Sequence, residues 1–151
     1  MKINIHLVRE DGLHIEGEDP AGILDVEDHE WSFREPVHYS LDASLLKDAL
    51  LVTGRLWTAG TVRCSRCARG FQHSLEIREF VSHTPIGHGD IVDLTPEIRE
   101  TILLEIPQKP LCRDDCKGLC PVCGTDRNKH ACNCVQPSTE LRWAGLSKLK
   151  L

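Results

Sequence analysis

Six cysteines crowd into the 24 residues from Leu111 to Cys134, a stretch with too little apolar material to bury a core of its own. Something other than hydrophobic packing must hold that segment, and the spacing points to metal. Cys120-Pro121-Val122-Cys123-Gly124 sets two thiolates on one side of a turn stiffened by Pro121 and closed by Gly124, at a reach that suits a tetrahedral ion. Cys132 and Cys134 follow after a gap of eight residues, Cys112 and Cys116 come before, and Cys64-Ser65-Arg66-Cys67 lies far upstream. Eight cysteines make two complete sets of four. The expectation is two structural zinc ions, with Cys64, Cys67, Cys112, Cys116, Cys120, Cys123, Cys132 and Cys134 as ligands. One zinc plus a spare redox or structural group, and disulfides or free buried thiols, are the alternatives.

Proximity in the chain makes Cys120, Cys123, Cys132 and Cys134 a local site. Cys64, Cys67, Cys112 and Cys116 are then left to tie the tail to the upstream region across a long loop. The competing arrangement pairs the two Cys-x-x-Cys knuckles as one ribbon.

Preferring metal to disulfide assumes a reducing compartment. No apolar run approaches the roughly 18 residues that span a bilayer, and Met1 to His6 alternates where a signal peptide would be apolar. The chain is read as cytoplasmic, with no membrane partner. Its 151 residues are 40% hydrophobic and only 5% aromatic, enough for one modest core and against disorder. The net charge of −5 hides a division, since residues 1–106 hold 10 basic and 19 acidic residues and residues 107–151 hold 8 and 4. A zinc ion with four thiolates carries a formal −2, so the basic tail is no general argument for nucleic acid.

Upstream, Ile3, Ile5 and Leu7, then Val37, Tyr39 and Leu41, then Leu75 and Ile77 alternate with polar neighbours in the period of half-buried strands. Gly12, Gly17, Pro20 with Gly22, Pro36 and Gly54 supply turns, Leu45 to Leu51 forms a short helical turn, and Val52 to Thr58 is another strand. One segment changes period: Leu94, Ile98, Ile102 and Ile106 recur every four residues, with Thr95 as N-cap, Pro96 at the first helical position and Pro107 as the stop. A short terminal helix is expected from Ser138 or Thr139 through Leu149. The expected fold is α+β, mainly antiparallel β: a small strand meander or partial barrel with one main helix and a zinc-bound C-terminal element. Residues 1–106 form the β-rich domain, and 107–151 the cysteine-rich element packed on it.

Catalysis has no positive signal. A catalytic zinc keeps an open position, and eight cysteines leave none. His14-Ile15-Glu16 matches half of a zinc-deaminase signature, but no Pro-Cys-x-x-Cys completes it. Cys64 to Cys67 lies between strands, not at the helix N-terminus that a thioredoxin-like thiol requires. His130 is the one histidine among the cysteines and a minor candidate to replace one of them. Arg63, Arg66 and Arg69 interleave the first knuckle and Lys117, Arg127 and Lys129 surround the second cluster, so these six are candidate RNA contacts, with a charge-balancing rim as the plain alternative.

The order of these motifs resembles the YceD-like family, the large ribosomal RNA subunit accumulation proteins. The residues that carry the resemblance are Cys64-Ser65-Arg66-Cys67 with Phe71, Val92-Asp93-Leu94 leading into Ile98-Arg99-Glu100, Ile106-Pro107 with Pro110-Leu111-Cys112, Cys116-Lys117-Gly118-Leu119-Cys120-Pro121 with Cys123-Gly124, and Leu146-Ser147-Lys148-Leu149. The resemblance implies a non-catalytic factor for synthesis, processing or stability of large-subunit ribosomal RNA. It implies as partner a precursor particle or its RNA, or a large-subunit ribosomal protein. A zinc- or thiol-dependent enzyme is the alternative from another class.

Overall fold

A computed structural model describes residues 1–26, 31–87 and 89–135. Among these residues seven strands and one α-helix follow in the order β1 (Lys2–Asn4), β2 (Leu13–Asp19), β3 (Trp31–Phe33), β4 (Val37–Leu45), β5 (Ala49–Arg63), β6 (Gly70–Pro85), β7 (Ile91–Asp93) and α1 (Thr95–Glu105). All pairings are antiparallel, and the main sheet curls into a half-barrel. β5 is its spine. Along one edge β5 pairs first with β4, which carries β2 outside it, and then with β3; along the other it pairs with β6 throughout.

Strand alternation explains the inner face. Leu50, Val52, Leu56 and Val62 of β5 are buried, as are Val37 and Leu41 of β4, all at positions of one parity along each strand. On β6 the buried positions switch phase, from Leu75 and Ile77 to Phe80 and Ser82, across the exposed pair Arg78 and Glu79. The register shifts at the same place, from Leu56 opposite Ile77 to Gly54 opposite Phe80. This bulge inserts one residue into β6 and keeps apolar side chains inward on both sides of it. Leu94, just before α1, and Ile98 and Ile102 within it are fully buried on the same core, one face as the four-residue spacing expects, with Ile106 packed at its border.

Several local expectations change. The run Ile3, Ile5, Leu7 is not one strand: β1 stops at Asn4 because its partner β7 has only three residues, and Asn4 Oδ1 accepts from His6 N at 3.0 Å to start a 3-10 turn over Ile5–Leu7. Leu45 to Leu51 is not helical. Leu46 and Ala49 exchange backbone hydrogen bonds around Lys47 and Asp48, closing a tight hairpin that returns Leu50 and Val52 to the core. Gly17 and Gly54 lie inside strands. Gly54, at φ +148°, is required there because a Cβ would stand 2.2 Å from Ser40 O. Thr95 is the first helical residue and does not cap: its hydroxyl accepts from Met1 N at 2.7 Å, while Asp93 Oδ1 accepts from Thr95 N at 2.9 Å in its place. The expected terminal helix lies outside the described residues.

Candidate metal centre

The turn between β5 and β6 is the first knuckle. Cys64 N donates to Arg69 O at 2.9 Å and Ala68 N to Cys64 O at 2.8 Å, so the chain folds back on itself and aims both sulfurs the same way. The second knuckle repeats this pattern residue for residue, with Cys120 N on Thr125 O and Gly124 N on Cys120 O, both at 2.8 Å. In each, the fifth residue has positive φ: Ala68 at 56° and Gly124 at 72°. The Gly124 position is the one the motif anticipates; Ala68 adopts the same conformation without the glycine.

The tail then wraps the first knuckle. Ser65 N donates to Pro110 O and Leu119 N to Arg66 O, at 2.9 and 3.0 Å. Gly118, at φ +70°, passes so close that a Cβ there would lie 2.8 Å from Arg66 O. The Arg66 guanidinium reaches back to Asp114 O at 3.2 Å and Cys116 O at 3.0 Å. Cys112 and Cys116 are thereby set beside Cys64 and Cys67.

Two groups of four sulfurs result, Cys64, Cys67, Cys112 and Cys116 in one and Cys120, Cys123, Cys132 and Cys134 in the other, each within 4.8 Å of its fellows. This is the grouping expected from proximity, not the ribbon that would join Cys67 to Cys123. Cys64 and Cys116 sulfurs stand 3.8 Å apart, Cys67 and Cys112 3.7 Å. Those separations are far too long for a disulfide. They match the edge of about 3.8 Å that a tetrahedron with metal–sulfur bonds of about 2.3 Å requires. Either group could hold a metal ion.

The two groups differ in surroundings. Cys64, Cys67 and Cys116 are buried, with Phe71 and Leu111 packed against them, whereas Cys123 and Cys134 of the second group are exposed. Crowded thiols cannot all ionise without a cation. Burial opposes the Cys64 thiolate, yet backbone groups of Cys112, Arg66 and Cys67 outweigh it and lower the thiol to about 6; burial and the neighbouring sulfurs push Cys112 up to about 12. In the second group, bonds from Thr125 lower Cys123 to about 6, and the pairing with Cys123 raises Cys134 to about 12. A metal ion would displace the remaining protons.

Asn128 was missed by sequence reasoning and joins the two halves. Its Oδ1 accepts from Lys117 N at 2.8 Å and from Arg113 Nη2 at 2.9 Å, and its Nδ2 points at Cys116 Sγ, 3.5 Å away. Nothing in an asparagine between two cysteine pairs announces this part. His130 lies in neither sulfur group. Arg63, Arg69, Lys117, Arg127 and Lys129 are all exposed around the clusters; Arg66 is committed to backbone carbonyls, and Arg113, which sequence reasoning passed over, joins the exposed cations. His14 and Glu16 form an exposed polar trio with Asp42, distant in sequence from any cysteine.

A model of the family described as large ribosomal RNA subunit accumulation protein YceD matches residues 76–150, about half the chain and six of its eight cysteines. The chain belongs to the YceD family. Among curated relatives, a large ribosomal RNA subunit accumulation protein YceD homolog 1 of Arabidopsis thaliana, named as chloroplastic, is 24% identical over 76% of this chain and 49% of its own length. Its Zea mays namesake is 38% identical over 45% of this chain and 22% of its own. An uncharacterized protein of Mycobacterium tuberculosis is 24% identical over 80% of this chain and 59% of its own. The chain thus spans between about a fifth and three fifths of these relatives. No solved structure matches. Among the described residues no helix is long and apolar enough to cross a membrane.

Proposed function

We propose that this YceD-family chain is a non-catalytic binding factor supporting synthesis, processing or stability of large-subunit ribosomal RNA, and that two zinc ions hold its binding surface together. All eight cysteines are ligands in this reading, four to each ion. Four thiolates saturate a tetrahedral ion, which gives zinc a structural part and leaves no position for a substrate. The direct partner is precursor RNA or a large-subunit precursor particle, with a large-subunit ribosomal protein as a second contact, in the cytoplasm.

The observation that supports this most is the gathering of exposed cations around the sulfur groups: Arg63 and Arg69 on the β5–β6 turn, and Arg113, Lys117, Arg127 and Lys129 on the tail folded against it. Part of that charge balances the zinc-thiolate centres. The rest suits phosphates, which position a protein without reading sequence. The test is the double variant Arg63→Ala/Arg69→Ala, leaving Arg66 in place. Two zinc ions per chain should be retained, while association with large-subunit precursor particles falls and its log–log salt slope flattens by about 1.4–1.8 units. Unchanged association and slope in the folded variant would reduce the cations to a charge-balancing rim.

One observation favours a second reading, a zinc- or thiol-dependent enzyme: Cys123 is exposed and its thiol is lowered to about 6. Alkylation of the zinc-loaded protein separates the two. A saturated centre protects Cys123; a working thiol stays reactive.

A further inference from the structure

The outer face of the sheet carries a site of its own. One row across β2, β4, β5 and β6 reads Glu18, His38, Trp57, Glu76. Trp57 is 41% exposed, and the His38 ring stacks on it with centroids 5.6 Å apart and planes at 13°. Glu18 holds His38 Nδ1 at 3.4 Å. Just beyond Trp57 the edge of β5 changes partner, from β4 to β3, so Thr58 and Ala59 face the connecting residues 34–36 where a strand would otherwise lie. Thr58 Oγ1 donates to Glu35 O at 3.4 Å and pins that connection. The gap leaves a cavity lined by Trp57, Ala59 and Ser74, with Glu35 and Glu76 among the lining residues.

Among the described residues Arg55 is the only permanent cation lining it. Two carboxylates beside an accessible indole favour a cationic guest, and a planar guanidinium fits best because it stacks on the ring while its N–H groups meet the carboxylates. Gln72 donates to Glu35 at 2.8 Å and Arg78 to Glu76 at 3.1 Å, but both contacts are exposed and are readily exchanged for a guest. Glu16, Glu18 and Asp42 extend the acidic character across the same face, and residues 1–106 as a whole hold 19 acidic against 10 basic residues.

We infer that this face docks an extended, arginine-bearing segment of a basic protein partner, with one arginine side chain in the Trp57 cavity. The site shares no residue with the sulfur groups or their cationic rim, so it stands or falls apart from the RNA contact.

Nuclear magnetic resonance of the isotope-labelled full chain tests it, with three probes: a peptide of alternating Arg and Gly, its Lys counterpart, and a uridine oligonucleotide. The arginine peptide should shift the Trp57 indole N–H and bind several-fold more tightly than the lysine peptide. Trp57→Ala should weaken it about tenfold, the order expected for a cation–π contact near 1.4 kcal/mol, and separately Glu35→Gln/Glu76→Gln, which removes the charge-assisted hydrogen bonds, should weaken it several-fold. Trp57 lies outside the core, and the glutamate pair gives an independent measurement should the tryptophan variant lose its fold. Arginine-peptide binding that survives both changes would be mere attraction to an acidic surface, and overturns the inference. A Trp57 shift with the oligonucleotide but not the arginine peptide would make this a nucleobase site, and binding by none of the three probes would leave no site at all; both outcomes also overturn it.

Discussion

Replacing Arg66 by alanine should loosen the tail from the first knuckle, an effect that neither Arg63→Ala nor Arg69→Ala should share. The guanidinium donates to Cys116 O at 3.0 Å, in a partly buried setting, and to Asp114 O at 3.2 Å, in an exposed one. Hydrogen bonds from a charged donor contribute about 1.5–3 kcal/mol when shielded and much less in water. With one contact partly shielded and the other open, the pair is worth about 1–2 kcal/mol, or roughly a 5- to 30-fold change in the population of the open tail. The assay is alkylation of Cys112 and Cys116 in the metal-loaded protein, which tracks opening when reclosing outpaces the reagent. Arg66→Ala should accelerate labelling by that factor and Arg66→Lys by less, while the two neighbouring alanine variants stay within about twofold. Equal labelling in all three alanine variants would refute the structural role and return Arg66 to the candidate RNA contacts. The distinction governs any triple substitution at 63, 66 and 69, which would otherwise mix lost binding with a loosened clasp.

Gly54→Ala should destabilise the sheet by about 2–5 kcal/mol, the sum of a strained backbone at φ +148° and a collision with Ser40 O, read as a lower denaturant midpoint at unchanged slope. Ala68→Gly should raise stability or leave it unchanged, because the first knuckle holds this residue at φ 56° where alanine is strained; a clear loss would contradict the equivalence of the two knuckles. His14 should titrate above its ordinary value of about 6.5, because Asp42 and then Glu16 bond its ring. Its folded value is raised, so the contribution to stability is complete below about 6.5 and is lost as pH rises through the folded value. Asp42→Asn should bring the imidazole's titration back down, and an unmoved midpoint would count against the trio.

The cysteine groups were legible because ligand spacing is a local property: Cys120 and Cys123 share a turn, and closeness in sequence brings Cys132 and Cys134 to them. Helix α1 was legible for the same reason, since Leu94, Ile98 and Ile102 state their periodicity within a single segment. What escaped depended on partners distant in sequence. The hairpin at Lys47–Asp48 looks like a helical turn until β5 is seen to return along β4, and Gly54 looks like a turn residue until Ser40 O is found against it. The bulge at Arg78 and Glu79 is written in the phase change from Ile77 to Phe80, but only the register with β5 turns that change into a bulge. Arg66 was read by charge and Asn128 not at all; Arg66 proves to bond Cys116 O, 50 residues away, and Asn128 to bond Arg113, 15 residues away.

Anomalous scattering at the zinc absorption edge, from crystals of the metal-loaded chain, tests the central claim most directly. Two peaks are expected, one about 2.3 Å from each sulfur of Cys64, Cys67, Cys112 and Cys116, the other at the same distance from Cys120, Cys123, Cys132 and Cys134. A single peak, a peak shared by Cys67 and Cys123, or an ion with an open coordination position would contradict the account of two saturated centres, the first of which clasps the tail to the sheet.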